Sequence, residues 1–198
     1  MDKYRLFSKA CKFGQLEVVK FLVSKEADIR DRLAFERACE YGHLEVVKLL
    51  VSKGADVKDS WAFESACRYG HLEVAKYLAS KGAEATNIYA FRETCERGHL
   101  GVVKFLVSKG ADVKDGWAFI WACEYGHLEV VKYLVSKGAD FNNEYAFAGA
   151  CDKRQLEVVK FLVSKGVDPK NIDFSNWSKP INQHRTVEYI TQCRSSYD

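Results

Sequence analysis

The stretch that decides the fold is AFIWACEYGHLEVVKYLVSKGAD, residues 118–140, because nearly the same letters stand elsewhere in the chain. Residues 34–56 are AFERACEYGHLEVVKLLVSKGAD. The segment LEVVK, or a close variant of it, begins at six evenly spaced leucines: Leu16, Leu44, Leu72, Leu100, Leu128 and Leu156. Such self-similarity at a fixed offset, here 28 residues, is the signature of a repeat architecture.

The sequence pattern of each repeat predicts two short helices joined by a turn that usually contains a glycine. An Asp or Asn precedes each first helix, where its side chain can accept hydrogen bonds from free backbone N–H groups as an N-cap. In the second repeat, Gly42 ends the first helix and Gly54 ends the second, which is expected over about 44–53. The residues expected to face the core in this repeat are Leu33, Ala34, Phe35, Ala38, Cys39, Val46, Val47, Leu50 and Val51. The N-cap register is Asp31, Asp59, Asn87, Asp115, Asn143 and Asn171.

Two helices of this length bury too little apolar surface to be stable alone, so each pair must pack against the next. The expected fold is therefore an all-α helix-turn-helix solenoid that forms a single domain over residues 1–198. Six repeats are expected over about 3–170. From Asn171 onward the pattern dissolves, although TVEYI at 186–190 keeps the register. Residues 171–198 are therefore predicted to form a degenerate capping repeat.

The segment ACEYGHLEVVKYLVSKGAD, residues 122–140, resembles the ankyrin repeat in its paired small residues, Gly-His, aliphatic helix and closing Gly-Ala-Asp. The repeat unit is shorter than the typical 33 residues and lacks the usual Thr-Pro-Leu-His opening. The resemblance therefore implies an ankyrin-type solenoid with shortened inter-repeat hairpins and little or no β structure. Such short regular units are similar to the ankyrin arrays of large DNA viruses.

Composition places few limits on the partner. Thirty basic and 27 acidic residues leave a net charge of +3, which is too little for a dedicated nucleic-acid binder. No apolar run reaches the length of a signal peptide or of a membrane span. We therefore expect a cytoplasmic protein, in the host cytoplasm if it is viral, with the nucleus also open. We expect no membrane binding.

The periodic cysteines and histidines suggest a metal site at first sight. However, packed helices lie roughly 8–10 Å apart, so neighbouring repeats cannot bring four ligands to one metal ion. The simpler interpretation is that each cysteine is a small buried residue and that each histidine follows the turn glycine. We expect no metal, no cofactor and no catalytic residue. The ladder of lysines that begins at Lys20 is expected to pair with glutamates three residues earlier on a solvated face, except where Gly101 precedes Lys104.

The positions that vary between the copies lie mainly on the first helix, which in ankyrin proteins lines the concave recognition groove. The resemblance therefore assigns partner binding to this helix and the loop before it, particularly to the two positions after the paired small residues. Trp117, Trp121 and Tyr125 share one helical side, with Ile120 beside them, and an exposed aromatic cluster is typical of a binding hot spot. The predicted partner-binding residues are Tyr41, Arg68, Tyr69, Arg97, Trp117, Ile120, Trp121, Tyr125 and Lys153.

One question stays open in the sequence. Leu33, Trp61, Tyr89, Trp117 and Tyr145 share one register, and this stripe either packs between repeats or faces a partner. The expected function is a non-enzymatic module that binds another protein through the concave groove, centred on the fourth to sixth repeats. The alternatives are a structural or self-associating array and, in third place, a nucleic-acid-binding solenoid. We expect a monomer, with weak self-association as the alternative state.

Overall fold

The computed structural model describes residues 3–25, 31–58 and 60–168. This part of the chain holds twelve α-helices and no β-strand, which confirms the all-α prediction. The predicted capping repeat, residues 171–198, lies outside the described residues. The helices are α1 (Lys3–Lys12), α2 (Leu16–Ser24), α3 (Arg32–Glu40), α4 (Leu44–Ser52), α5 (Ser60–Arg68), α6 (Leu72–Ser80), α7 (Ile88–Glu96), α8 (Leu100–Ser108), α9 (Gly116–Glu124), α10 (Leu128–Ser136), α11 (Glu144–Asp152) and α12 (Leu156–Ser164).

The odd-numbered helices are the first helices of the repeats, and their N-caps confirm the prediction wherever they are described. The Asp31 carboxylate accepts from the backbone N–H groups of Leu33 and Ala34. The side chains of Asn87, Asp115 and Asn143 accept from the backbone in the same way. These bonds satisfy amide donors that have no partner inside the helix, so the first helices begin where the Asx residues stand. Asp59 and Asn171 lie outside the described residues.

The turn between the two helices of a repeat is closed by a glycine in the left-handed region. Gly42 has φ +75°, and the N–H of His43 donates to the carbonyl oxygen of Ala38 at 2.9 Å. This bond is the six-to-one contact of a Schellman turn, which a glycine at the left-handed position makes accessible. Arg154 stands in the same register with φ +58° and is the only non-glycine residue with positive φ among those described.

The core consists of the same register positions in each repeat. Ala34, Phe35, Ala38 and Cys39 of α3 are buried, as predicted. The second helix of that repeat buries Val46, Val47 and Leu50. The prediction was wrong for Leu33, which is 50% exposed, and too strong for Val51, which is only half-buried. Leu33 stands at the second residue of its helix, where the apolar spacing alone does not distinguish the edge of the core from its interior.

The chain divides into two compact units. The N-terminal unit comprises Met1–Thr94 and Gly101–Ala111, and the C-terminal unit comprises Cys95–Leu100 and Asp112–Asp198. In the N-terminal unit, α1 packs on α3 and α3 packs on α5, while α2, α4 and α6 pack in the same order. In the C-terminal unit, α9 packs on α11 and α10 packs on α12. Each unit is therefore a stack in which helix pairs contact the next pair, as expected for ankyrin-type repeats.

Six cysteines lie in the core, where all are free thiols. They are Cys11, Cys39, Cys67, Cys95, Cys123 and Cys151. Burial raises the pKa of Cys11 to about 12, and the nearby Asp31 carboxylate contributes to this shift. Burial also raises the pKa of Cys39, Cys67, Cys95 and Cys123. The interpretation of these cysteines as small buried residues is therefore confirmed.

We expect iodoacetamide at pH 8 to modify these six thiols at least about 100-fold more slowly in the folded chain than in the chain unfolded in guanidinium. The thiolate is the reactive form, and burial both removes access to it and lowers its fraction. Mass spectrometry of tryptic peptides over time gives the rate for each cysteine. A buried cysteine that reacts as fast in the folded chain as in the unfolded chain would contradict the packing described above.

Candidate functional site

Histidine side chains join successive repeats. The Nε2–H of His71, which follows α5, donates to the carbonyl oxygen of Glu40 at 2.8 Å, at the end of the preceding first helix. His43 makes the same bond to Lys12 at 2.8 Å, and His127 makes it to Glu96 at 2.6 Å. Because a carbonyl oxygen can only accept, the Nε2 nitrogen carries the proton. Each bond satisfies a helix-end carbonyl that has no partner within its own helix.

A glutamine takes the place of histidine in the sixth repeat. The Nε2 amide of Gln155 donates to the carbonyl oxygen of Glu124 at 3.0 Å. The repeat-to-repeat bond therefore depends on a donor of suitable length and not on imidazole chemistry. The sequence pattern placed histidine at the turn but gave no sign of this contact, since its partner lies 31 residues away.

The aromatic register left open by the sequence is exposed. Leu33, Trp61 and Tyr89 in the N-terminal unit are 50%, 55% and 63% exposed. Trp117 and Tyr145 in the C-terminal unit are 55% and 59% exposed. Side chains with this much exposed surface do not serve mainly to fill the space between repeats. The interpretation of this stripe as an internal packing element is therefore wrong.

In the C-terminal unit, α9 brings two of the predicted site residues into contact. The rings of Trp117 and Trp121 lie 6.1 Å apart between centroids and are tilted by 51°. Ile120 and Trp121 are half-buried, whereas Trp117 and Tyr125 are exposed. The core side of the same helix is supplied by other residues, among them Phe119, which is 2% exposed. The face of α9 that carries these aromatic side chains is thus separate from the face that packs.

Two other predicted residues of the C-terminal unit are charged and exposed. Lys153 extends from the end of α11 and lies 3.7 Å from the Glu124 carboxylate and 3.9 Å from that of Asp152. Arg97 is exposed at the end of α7. A lysine held loosely between two partly exposed carboxylates gains little stability from them, so its ammonium group is accessible to another molecule.

Two predicted residues of the N-terminal unit, Arg68 and Tyr41, contact other side chains of the same unit. Arg68 donates from Nε to Glu93 at 2.8 Å and from its second terminal nitrogen to the other carboxylate oxygen. This hydrogen bond raises the pKa of Arg68. Tyr41 stacks beside His43, with ring centroids 6.5 Å apart, and the Lys12 ammonium lies 5.1 Å from its centroid. Tyr69 remains exposed.

A cavity of about 530 Å³ opens between α3, α5 and α7 of the N-terminal unit. Trp61 and Tyr89 form its aromatic lining, and three carboxylates, those of Glu36, Glu64 and Glu93, face it together with Arg68. Of these residues, only Arg68 was predicted. The available signal was the register, since Trp61 and Tyr89 occupy the positions equivalent to Trp117 in their own repeats.

The second helices carry the predicted ion pairs. Lys20, Lys48, Lys76, Lys132 and Lys160 each lie 2.7–3.3 Å from the glutamate three residues earlier. All of these pairs are solvent-exposed, so each contributes little to stability. They balance the positive charge of the lysine ladder on that face, as the sequence predicted.

The described residues offer neither a metal site nor a membrane span. No group of three or more His, Cys, Asp or Glu side chains in residues 3–25, 31–58 and 60–168 is arranged to hold a metal ion. Within the same residues, none of the helices has the length and hydropathy required to cross a bilayer.

Known proteins support the fold described above. The family model described as ankyrin repeats matches residues 7–89, 63–145 and 94–173. The crystal structure of the human ASB11 ankyrin repeat domain is similar to this chain with a TM-score of 0.78 and 19% sequence identity. That similarity covers 92% of this chain and 96% of the human domain. No curated protein matches the chain significantly.

The family model and the structural similarity cover the repeats that contain the buried core residues, the glycine turns and the histidine hydrogen bonds described above. At 19% identity, the similarity to the human domain is evidence for the fold and for nothing more. The family model matches well over half of the chain, so it shows the family. The chain belongs to the ankyrin repeat family.

Proposed function

We propose that the chain is a non-enzymatic module that binds a partner protein through the exposed side of its first helices. Ankyrin repeats are generally protein interaction modules, and their fold is typically non-enzymatic. The observation that carries the proposal is the row of exposed aromatic side chains at positions the stack does not need for its core. In the C-terminal unit we define the aromatic face as Trp117, Ile120, Trp121 and Tyr125.

The composition of the aromatic face supports binding to a protein. Tryptophan and tyrosine are enriched among residues that dominate binding energy at protein interfaces. Two tryptophans in contact bury a large apolar area when a partner covers them, at little cost in side-chain entropy. Ile120 and Trp121 are already half-buried, so they lose less conformational freedom on binding than fully exposed side chains would.

The surroundings of the aromatic face support specificity. Half-buried Glu124, which precedes Tyr125, lies close to exposed Lys153, and Arg97 lies in the same unit. Polar and charged residues at the edge of an interface set orientation and association rate more than affinity. The expected anchor is therefore the tryptophan pair, with Tyr125 and the charged residues contributing to partner choice.

We expect Trp121→Ala to lower the amount of partner captured from cell extract by at least about tenfold, because truncating a hot-spot tryptophan costs 2 kcal/mol or more. The immobilised wild-type and variant chains are exposed to the same extract, and bound proteins are quantified by mass spectrometry. Tyr133→Ala is the matched control, since Tyr133 is a half-buried aromatic residue on the second helix α10.

The control variant should capture the same proteins as the wild type. Equal loss in both variants would indicate a general loss of folding, and equal capture by the wild type and Trp121→Ala would refute the role of the aromatic face. If the captured protein is the chain itself, the self-associating array is the correct function.

A further inference from the structure

The cavity of the N-terminal unit has the size of a ligand site and is lined by residues with distinct chemistry. Its volume of about 530 Å³ lies within the range of roughly 300–1,000 Å³ that is typical of pockets for small groups. It is formed on the first helices α3, α5 and α7, on the same register positions that form the aromatic face in the C-terminal unit. The cavity therefore lies on the side of the first helices that is proposed above to bind a partner.

The charge of this cavity is not balanced internally. Arg68 donates two hydrogen bonds to the Glu93 carboxylate, so its positive charge is paired with Glu93. The carboxylates of Glu36 and Glu64 are not paired with Arg68. Glu64 accepts only from the neutral side-chain amide of Asn87, at 3.0 Å. The Glu36 carboxylate interacts electrostatically with the Arg37 guanidinium, but no hydrogen bond to it is found among the described residues. The lining thus carries three carboxylates and one guanidinium, with Arg32 and Arg37 close by, so an anionic ligand is disfavoured and a cationic one is attracted.

The aromatic lining selects the kind of cation. The indole of Trp61 already makes a cation–π contact with a guanidinium group, since Cζ of Arg32 lies 5.4 Å from the ring centroid. Tyr89 provides a second exposed ring in the same cavity. A guanidinium is planar, so it can stack on an aromatic ring while its N–H groups pair with a carboxylate. An ammonium group lacks this planar fork and matches the lining less well.

We propose that this cavity receives an arginine side chain of the partner protein. The guanidinium pairs with Glu36 and Glu64 and stacks against the exposed ring of Tyr89, while Arg32 stays over Trp61 and Arg68 and Glu93 remain paired. This inference rests on the proposed function, because it assumes that the partner contacts the first helices. It adds a chemical requirement, namely that the segment of the partner that contacts the N-terminal unit contains arginine.

The test uses a small probe and needs no partner. The full chain, labelled with ¹⁵N, is titrated with N-acetyl-arginine N-methylamide while the indole N–H signal of Trp61 is followed by NMR. The signal is assigned with the variant Trp61→Phe. N-acetyl-citrulline N-methylamide, which has the same shape without the charge, is titrated in parallel. We expect a saturable shift with the arginine probe in the millimolar range and no saturable shift with the citrulline probe.

Variants test which residues bind the probe. The double variant Glu36→Gln and Glu64→Gln keeps the shape of both side chains and should weaken binding of the arginine probe by about tenfold. Tyr77→Ala removes a half-buried aromatic residue of the same unit on the second helix α6 and should leave the titration unchanged. Circular dichroism of each variant tests whether it is folded.

Three outcomes would overturn the proposal. They are equal shifts with both probes, no shift with either probe, and unchanged affinity in the double variant. The titration is independent of partner capture, so the two proposals can fail separately. Loss of capture in Trp121→Ala together with no response to the arginine probe would retain the protein-binding function and remove the arginine site.

Discussion

Replacing Gly42 by alanine is expected to lower the free energy of unfolding by about 2–5 kcal/mol. Gly42 has φ +75°, a conformation that costs an L-residue roughly 1–2 kcal/mol. A Cβ at this position would also lie 2.7 Å from Cε1 of His71 and closer still to its Nδ1. The imidazole must move, and it cannot do so without losing its hydrogen bond to the Glu40 carbonyl oxygen. Such a loss at a partly buried site costs roughly 1–3 kcal/mol.

A double-mutant cycle with His71→Ala separates the two costs. Without the imidazole, the new methyl group has room, so Gly42→Ala should then cost only about 1–2 kcal/mol for the backbone conformation. Gly54→Ala is a second control, because Gly54 has φ +99° but no atom within 4 Å of its added Cβ. Urea unfolding gives the four free energies of the cycle. Strictly additive effects of Gly42→Ala and His71→Ala would show that the imidazole does not hold the turn as described.

Helix positions, caps and turns could be predicted from the sequence because they depend on local chemistry. The N-cap role of Asp31 requires only backbone N–H groups two and three residues away. The turn at Gly42 requires only that a glycine follow the helix end. Because these signals recur in most repeats, even a weak local preference becomes a firm prediction. The family resemblance then supplied the stacking of one repeat on the next.

Features that depend on the distance between repeats could not be predicted in the same way. The hydrogen bond from His71 to Glu40 joins residues far apart in sequence, and no local pattern indicates its partner. The exposure of Leu33 and Trp61 depends on how far the neighbouring repeat extends over them, which the apolar spacing does not reveal. The cavity of the N-terminal unit requires residues of α3, α5 and α7 to be placed together, so its carboxylates appeared in the sequence only as variable charged positions.

The two units have the same core positions in their first helices but different residues at the outward positions. In the N-terminal unit, Glu64 and Ser65 of α5 occupy the positions that Ile120 and Trp121 occupy in α9 of the C-terminal unit. The core residues Phe63 and Phe119 are the same and equally buried. Changing the outward positions therefore changes the chemistry of the exposed surface without changing the packing. This separation explains why one repeated sequence can carry both an acidic cavity and an aromatic face.

The second large effect is expected at Phe119. This side chain is 2% exposed in the core of the C-terminal unit, and replacing a buried phenylalanine by alanine typically costs 3–5 kcal/mol. The loss combines the transfer of the ring from water with the cavity that the neighbouring helices cannot close. We therefore expect Phe119→Ala to lower the free energy of unfolding by about 3–5 kcal/mol and the urea midpoint accordingly.

The matched variant Trp117→Ala changes a larger side chain on the same helix, two residues earlier. Trp117 is 55% exposed, and its backbone N–H keeps the cap from Asp115 after the substitution. We expect it to cost less than about 1 kcal/mol, in the range of surface substitutions.

The central claim is that the stack is held together by one side of each first helix and leaves the other side free for a partner. Comparing the unfolding free energies of Phe119→Ala and Trp117→Ala in urea tests it most directly. The account predicts that Phe119→Ala is the more destabilising by at least about 2 kcal/mol. Equal destabilisation by the two variants would contradict the claim, because the aromatic side would then be part of the core.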